Sequence, residues 1–261
     1  MKTRVLSGLI MVPLVLLLYF GGYVLTAAGF LISVIGLKEF YDGFKNAEIM
    51  PSYKIGYAGI LAIYAIHMFT GDDKNLLLLW IILVVMAGLI YGMDVTKRSI
   101  NDGISTIIGL IYVVFFLYHI LLLDGIGEYR VLIWLVIITA FSTDIMAYFS
   151  GYLFGKHKLA PNLSPKKTIE GAVGGALGSI LFSGVFGYFI VPKLLLHCLI
   201  LGLIGGIMSQ FGDLTASAMK RKMGVKDYGN LIPGHGGIMD RFDSVIFMAP
   251  IVYYYITLVM I

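Results

Sequence analysis

The sequence predicts an all-α, polytopic membrane protein of about nine transmembrane helices with a cytoplasmic N-terminus. Composition, the spacing of the charges and the sidedness of the basic residues predict it together. Of 261 residues, 59% are apolar and 13% charged, against about 25% charged in an average soluble chain. Mean hydropathy is +0.92. A soluble core of this size cannot hide so much apolar surface, so part of it must face lipid. The length fits one structural unit. Within it, 1–130 reads as an N-terminal set of about five spans and 131–261 as a C-terminal region carrying the polar motifs. The lone cysteine, Cys198, rules out an intrachain disulfide.

Uncharged runs mark the spans in order: 5–37, 55–71, 75–93, 103–123, 171–192, 194–212 and 244–261, with 131–155 broken only by Asp144. A helix needs about 20 residues to cross the hydrocarbon. The first run is too long for one span, and Gly21-Gly22 offers the turn that divides it. Lys2 and Arg4 ahead of an apolar stretch, with Thr26-Ala27-Ala28 behind, also fit a secretory signal peptide. The apolar pattern continues through that would-be cleavage site, so these residues are read as spans. Nine spans place 16 of the 19 Lys and Arg residues on the cytoplasmic side and only Lys74, Arg130 and Lys193 outside. Changing the count by one scrambles that asymmetry.

The chemistry gathers on the cytoplasmic face in three places. Asp144 lies inside an apolar helix, where an acid costs about 2.5–3.5 kcal/mol on insertion scales, so it should face the protein interior or a water-filled cavity. It is either a structural hydrogen-bonding acid or a metal or substrate ligand. The loop 156–170 follows. There Ser164-Pro165 is expected to start a turn, and Lys166 and Lys167 set two ammonium groups at the membrane surface. Thr168 is placed to cap the next helix, with Glu170 in its first turn, a combination suited to phosphate. A lysine pair in a cytoplasmic loop also serves as a topology signal and an anionic-lipid contact.

The third place is 213–243, which holds nine of the chain's charged residues, signs interleaved. Asp240 and Asp243, three apart, share a helix face, and Asp213 closes the preceding span. Such carboxylates can hold divalent cations by oxygen ligation. Arg241 can grip phosphate with two hydrogen bonds. Lys220, Arg221 and Lys226 add cations that Asp227 can orient. Gly234, Gly236 and Gly237 let the backbone approach a ligand around His235.

The run from Ser217 to Asp243 closely resembles the signature of the phosphatidate cytidylyltransferases (CDP-diacylglycerol synthases) of bacterial type. The match takes in Ser217, Lys220, Arg221, Lys226, Asp227, the Gly-His-Gly-Gly turn at 234–237 and Asp240-Arg-Phe-Asp243, at the family's spacing. The segment from Asp144 to Gly151, and Ser164-Pro-Lys-Lys-Thr with Glu170-Gly171, are similar to that family's second region. The resemblance covers about the C-terminal half. The N-terminal spans share only hydropathy, with Lys38-Glu39-Phe40 a minor echo.

The resemblance implies a nucleotidyltransferase of phospholipid biosynthesis. It takes CTP and phosphatidic acid and releases CDP-diacylglycerol and pyrophosphate, with Mg²⁺ as cofactor and a second metal ion left open. It implies metal ligation by Asp213 and Asp240, supported by Asp243 or Asp144. Lys226, Asp227 and Arg241 join them at the reacting centre. Ser164, Lys166, Lys167, Thr168, Glu170, Ser217, Lys220, Arg221 and His235 contact substrate. The expected setting is a multi-pass protein of the inner or plasma membrane with its active site facing the cytoplasm. Its partners are then CTP, phosphatidic acid and the lipid bilayer but no nucleic acid, and a homodimer stays open. Two other readings stand beside it. A CTP-dependent polyprenol or lipid kinase would attack the terminal phosphorus. A polytopic transporter would use Asp144 and the glycine-rich spans as an ion path.

Overall fold

With no water in the hydrocarbon to satisfy backbone N–H and C=O groups, only helices and closed barrels span a bilayer. Helices accordingly make up nearly all of the computed structural model, which describes residues 16–94, 96–231 and 236–261. Among the described residues, seven helices are long and apolar enough to cross a membrane. They are Gly22–Ala47, Lys74–Tyr91, Ile100–Asp124, Gly127–Phe154, Ile169–Ile190, Pro192–Lys222 and Met239–Met260. Two of the nine expected spans fall outside this set. The first, over 5–20, lies mostly outside the described residues, as do Lys2 and Arg4. The third forms a helix over Tyr53–Thr70, but Tyr53, Lys54, Tyr57, Tyr64 and His67 make it more polar than the others. The break expected at Gly21-Gly22 is present: both residues take positive φ, 61° and 51°, and the helical path is interrupted at Gly21.

Contacts divide the chain into two units. The first comprises the residues up to 122 together with Lys222–Arg241. It contains α1 (Gly22–Gly43), α2 (Tyr53–Thr70) and α3 (Lys74–Tyr91). A long rod follows, built from α4 (Ile100–Ile108), a π-helical stretch (Gly109–Phe115) and α5 (Phe116–Asp124). Short polar residues start these helices. Ser52 accepts from the Ile55 N–H at 3.3 Å, and Asp73 accepts from the N–H groups of Asn75 and Leu76 at 3.0 Å. Ser99 and Asp102 cap α4 reciprocally. Leu37, Phe40, Tyr41, Ile60, Ile63 and Leu110 are fully buried and form its core. The Tyr41 hydroxyl donates to the Thr106 carbonyl at 2.7 Å, tying α1 to α4.

The second unit comprises 123–221 with 242–261. It holds α6 (Ile133–Phe154), a β-hairpin, α7 (Ile169–Ile190), α8 (Leu195–Lys222) and most of α9 (Met239–Tyr255), which ends in a π-helical turn (Ile256–Met260). Glycines bring these helices to backbone contact, the packing that small residues permit in membranes. A β-carbon at Gly175 of α7 would stand 2.9 Å from the Thr143 carbonyl of α6. One at Gly206 of α8 would stand 2.7 Å from the Ala176 Cα of α7, and one at Gly212 2.8 Å from the Asp243 carbonyl of α9.

The hairpin corrects the expectation for 156–170. β1 (Lys158–Ala160) pairs antiparallel with β2 (Ser164–Thr168), with Lys158 opposite Thr168, Ala160 opposite Ser164 and an irregularity between. Ser164 and Pro165 therefore lie in a strand, and the turn is made by 161–163, closed by the Leu163 N–H on the Ala160 carbonyl at 3.1 Å. Pro161 and Asn162 are the turn formers that decide this. A two-stranded ribbon leaves both strands at an edge, where Pro165 needs no ladder partner.

Candidate active site

In the second unit, the hairpin, the C-terminal half of α6, the start of α7 and the middle of α8 enclose a cavity of about 570 Å³. This volume lies in the range, about 300–1,000 Å³, usual for small-molecule sites. Asp144, Lys158, Lys166, Lys167, Thr168, Gln210 and Asp213 supply its polar lining. Five of these were expected from the sequence, and the structure brings them together. Thr168 caps α7 as expected, its Oγ1 accepting from the Gly171 N–H at 3.1 Å. The cap fixes where β2 ends and hence where the adjacent lysines stand. Lys167, half-buried, forms an ion pair with Asp213. Ser217, one turn on, donates to the other Asp213 oxygen at 3.5 Å.

Asp243 is buried, and its Oδ1 accepts from the Ser244 N–H at 2.8 Å. The carboxylates of Asp213 and Asp144 and the ammonium of Lys220 all act on it electrostatically. Carboxylates that act on one another in this way repel unless cations offset them. Glu170 sits at the base of the hairpin. It accepts from the backbone N–H groups of Lys156 and His157 at 3.0 and 3.2 Å and pairs with the His157 ring at 2.6 Å. Its observed contacts hold the hairpin to α7. Ser164 lies at the far end of β2, and Arg221 is exposed at the end of α8.

The first unit holds the remaining signature residues. Asp240, buried at the start of α9, accepts through Oδ2 from the N–H groups of Tyr228 at 2.8 Å and Gly237 at 3.0 Å. It thereby closes the loop that carries the exposed Lys226 and Asp227. Gly236 takes φ 82°, a conformation that favours glycine, and a β-carbon there would also meet the Asp240 carboxylate at 2.8 Å. Glu39, from α1, reaches into the same loop. It accepts from the Met239 N–H at 3.0 Å, and a β-carbon at Gly229 would stand 2.5 Å from it. Phe40 packs its ring 5.8 Å from that of Tyr228. Arg241 has a buried Nε with no hydrogen-bond partner among the described residues. His235 and Gly234 lie outside the described residues.

Sequence reasoning missed five contributors. Glu39 was legible only as the echo Lys38-Glu39-Phe40. Lys158 was one of several loop lysines. Gln210 and the exposed Tyr148 and Tyr152 stand in apolar runs and give no charge signal.

The fold and the cavity define a class: a polytopic membrane protein in which hairpin lysines, a capped helix start and the carboxylates of Asp144 and Asp213 line one cavity. The family model for the cytidylyltransferase family matches residues 2–259. The phosphatidate cytidylyltransferase of Staphylococcus haemolyticus is 35% identical over 257 residues, covering 96% of this chain and 97% of that protein. Those of Thermotoga maritima and Bacillus subtilis are 31% and 30% identical, covering 97% and 99% of this chain and 95% and 98% of their own lengths. The chain belongs to the cytidylyltransferase family.

Proposed function

We propose that this chain is a phosphatidate cytidylyltransferase, forming CDP-diacylglycerol and pyrophosphate from CTP and phosphatidic acid. Similarity to enzymes of that name over nearly the whole chain carries the reading. The cavity lined by Lys158, Lys166, Lys167 and Asp213 supports it. In the reaction a phosphate oxygen of phosphatidate attacks the α-phosphorus of CTP. A new P–O bond forms, the bond to the α,β-bridging oxygen breaks, and pyrophosphate leaves with that electron pair. The acceptor is already anionic near neutral pH, so the step needs no strong base. It needs two polyanions held together in line, and positioning and electrostatics supply the rate.

The hairpin lysines and Lys220 offset the phosphate charge, and the capped start of α7 adds a partial positive charge. Lys226 and Arg241 are assigned to phosphate contacts by their place in the signature. Among the described residues, no three His, Cys, Asp or Glu side chains are grouped to hold a metal ion by themselves. Mg²⁺ does not require that, because it commonly takes one or two carboxylates, keeps waters and binds substrate phosphates. The donor set fits: Asp213 and Asp243 would hold the ion, with Asp144 supporting. When bound, Mg²⁺ supplies charge neutralisation at the phosphate oxygens. Asp240 was expected beside Asp213 as a metal ligand, whereas its contacts with the Tyr228 and Gly237 N–H groups support a loop-holding role.

Purified chain, radiolabelled CTP and phosphatidic acid test the reading directly. Labelled lipid and pyrophosphate are expected. Release of CDP with a phosphorylated polyprenol would favour the kinase, and turnover of neither would defeat both enzymatic readings. Lys167→Ala is expected to raise KM for CTP about 10- to 100-fold, the worth of one charge-assisted hydrogen bond. An unchanged KM returns the lysine pair to a topology role.

The placement of Lys and Arg supports a cytoplasmic hairpin in the plasma membrane. Asn162→Cys, at the hairpin turn, should therefore resist impermeant thiol reagents in intact cells and react in inverted vesicles. Cys198 is buried and does not compete. Labelling from outside would invert the topology.

A further inference from the structure

Gln210 has no part in the scheme above, yet it lines the same cavity as Lys166, Lys167 and Asp213. Its Nε2 donates to the Ala172 carbonyl of α7 at 3.0 Å and to the Gly206 carbonyl of its own helix at 2.6 Å. A primary amide carries two N–H donors, and both are taken by backbone oxygens. That fixes the amide orientation, because a flipped group would set Oε1 against two carbonyl oxygens. The polar atom left to offer the cavity is Oε1, an acceptor.

An acceptor sorts the two substrates. A dianionic phosphate and two fatty esters present only acceptors of their own, so phosphatidate gives Oε1 nothing to bind. CTP has donors. On its base the exocyclic N4 amino group donates, at a position where a uracil-type ring carries an acceptor oxygen. A second observation points to the base. Tyr148 and Tyr152, successive turns of α6, line the same cavity with exposed rings lying 6.4 Å apart and inclined by only 14°. Flat aromatic faces of this kind are what nucleobases stack on.

Resting on the cytidylyltransferase reading, we propose that Gln210 reads the cytosine base. Its Oε1 accepts from the N4 amino group and sets the preference for CTP over UTP, while Tyr148 and Tyr152 provide the stacking face. The test uses the full chain in detergent with phosphatidic acid and three nucleotides: CTP, UTP and a CTP analogue lacking the exocyclic amino group. Wild type should use the analogue about 10- to 100-fold less efficiently than CTP, the loss expected when a polar group is left unpaired. KM for phosphatidate should not move. Gln210→Leu should close the gap between CTP and the analogue, whereas Gln210→Glu, which keeps an acceptor, should preserve it. The proposal is overturned if wild type accepts the analogue as well as CTP, or if Gln210→Leu retains the gap. It is also overturned if 2′-deoxy-CTP rather than the analogue shows the loss, which would assign Gln210 to the ribose. The wild-type comparison decides alone if Gln210→Leu does not fold. A wild type that makes no CDP-diacylglycerol defeats the functional reading instead.

Discussion

Asp213→Asn is expected to lower CTP incorporation by about 10²–10³-fold, the scale of removing one charge-stabilising group from a preorganised site. Three roles converge on this carboxylate. It pairs with Lys167, receives the Ser217 hydroxyl and acts on the buried Asp243. Asparagine keeps the shape and one acceptor, so folding should survive, while the charge that would hold Mg²⁺ and position Lys167 is lost. The loss should appear in kcat with monodispersity unchanged, and added Mg²⁺ should restore little of it. Initial rates over a Mg²⁺ series, alongside size-exclusion profiles, check this. Near-normal turnover would remove Asp213 from the reacting centre.

Glu39→Ala is the second large effect, and it acts through the loop that carries Lys226 and Asp227. Glu39 is buried and accepts from the Met239 N–H, with Gly229 and Gly237 packed against its carboxylate. Removing it strands a buried donor, at about 1–3 kcal/mol, and opens space beneath the loop that carries Lys226 and Asp227. Activity should fall severely together with thermal stability in detergent, and Glu39→Gln, which retains one acceptor, should lie between. Parallel melting curves and incorporation rates measure both. Loss of activity at full stability would move Glu39 from holding the loop to touching substrate.

Charge made most of this protein legible from its sequence. The spans could be read because an uncharged run of sufficient length has few alternatives. Lys166, Lys167, Thr168 and Asp213 stood out as polar residues flanking such runs, and Asp144 as the one charge inside a run. Thr168 was readable as a cap because a hydroxyl before an acidic first turn does one thing well. The hairpin was not readable, since three- and five-residue strands are too short to show alternation and Pro165 argued against a strand. Glu39 was hidden for another reason. An acid that serves backbone N–H groups nearly two hundred residues away leaves no local pattern. Gln210, Tyr148 and Tyr152 were invisible because a neutral amide and two phenols inside apolar helices look like packing. Gln210 differs from a packing residue only in where its two amide protons go, and the tyrosines only in the cavity they line.

The backbone-to-backbone seams among α6, α7, α8 and α9 bear on how the enzyme meets different lipids. Where Gly175, Gly206 and Gly212 touch their neighbours, sliding one helix by a single residue would drive a side chain into main-chain atoms. The seams thus act as a ratchet without intermediate positions. Bilayers of differing thickness will be met by tilting the bundle or dimpling the lipid, and the depth of the lysine hairpin relative to Asp213 will stay constant from one membrane to the next.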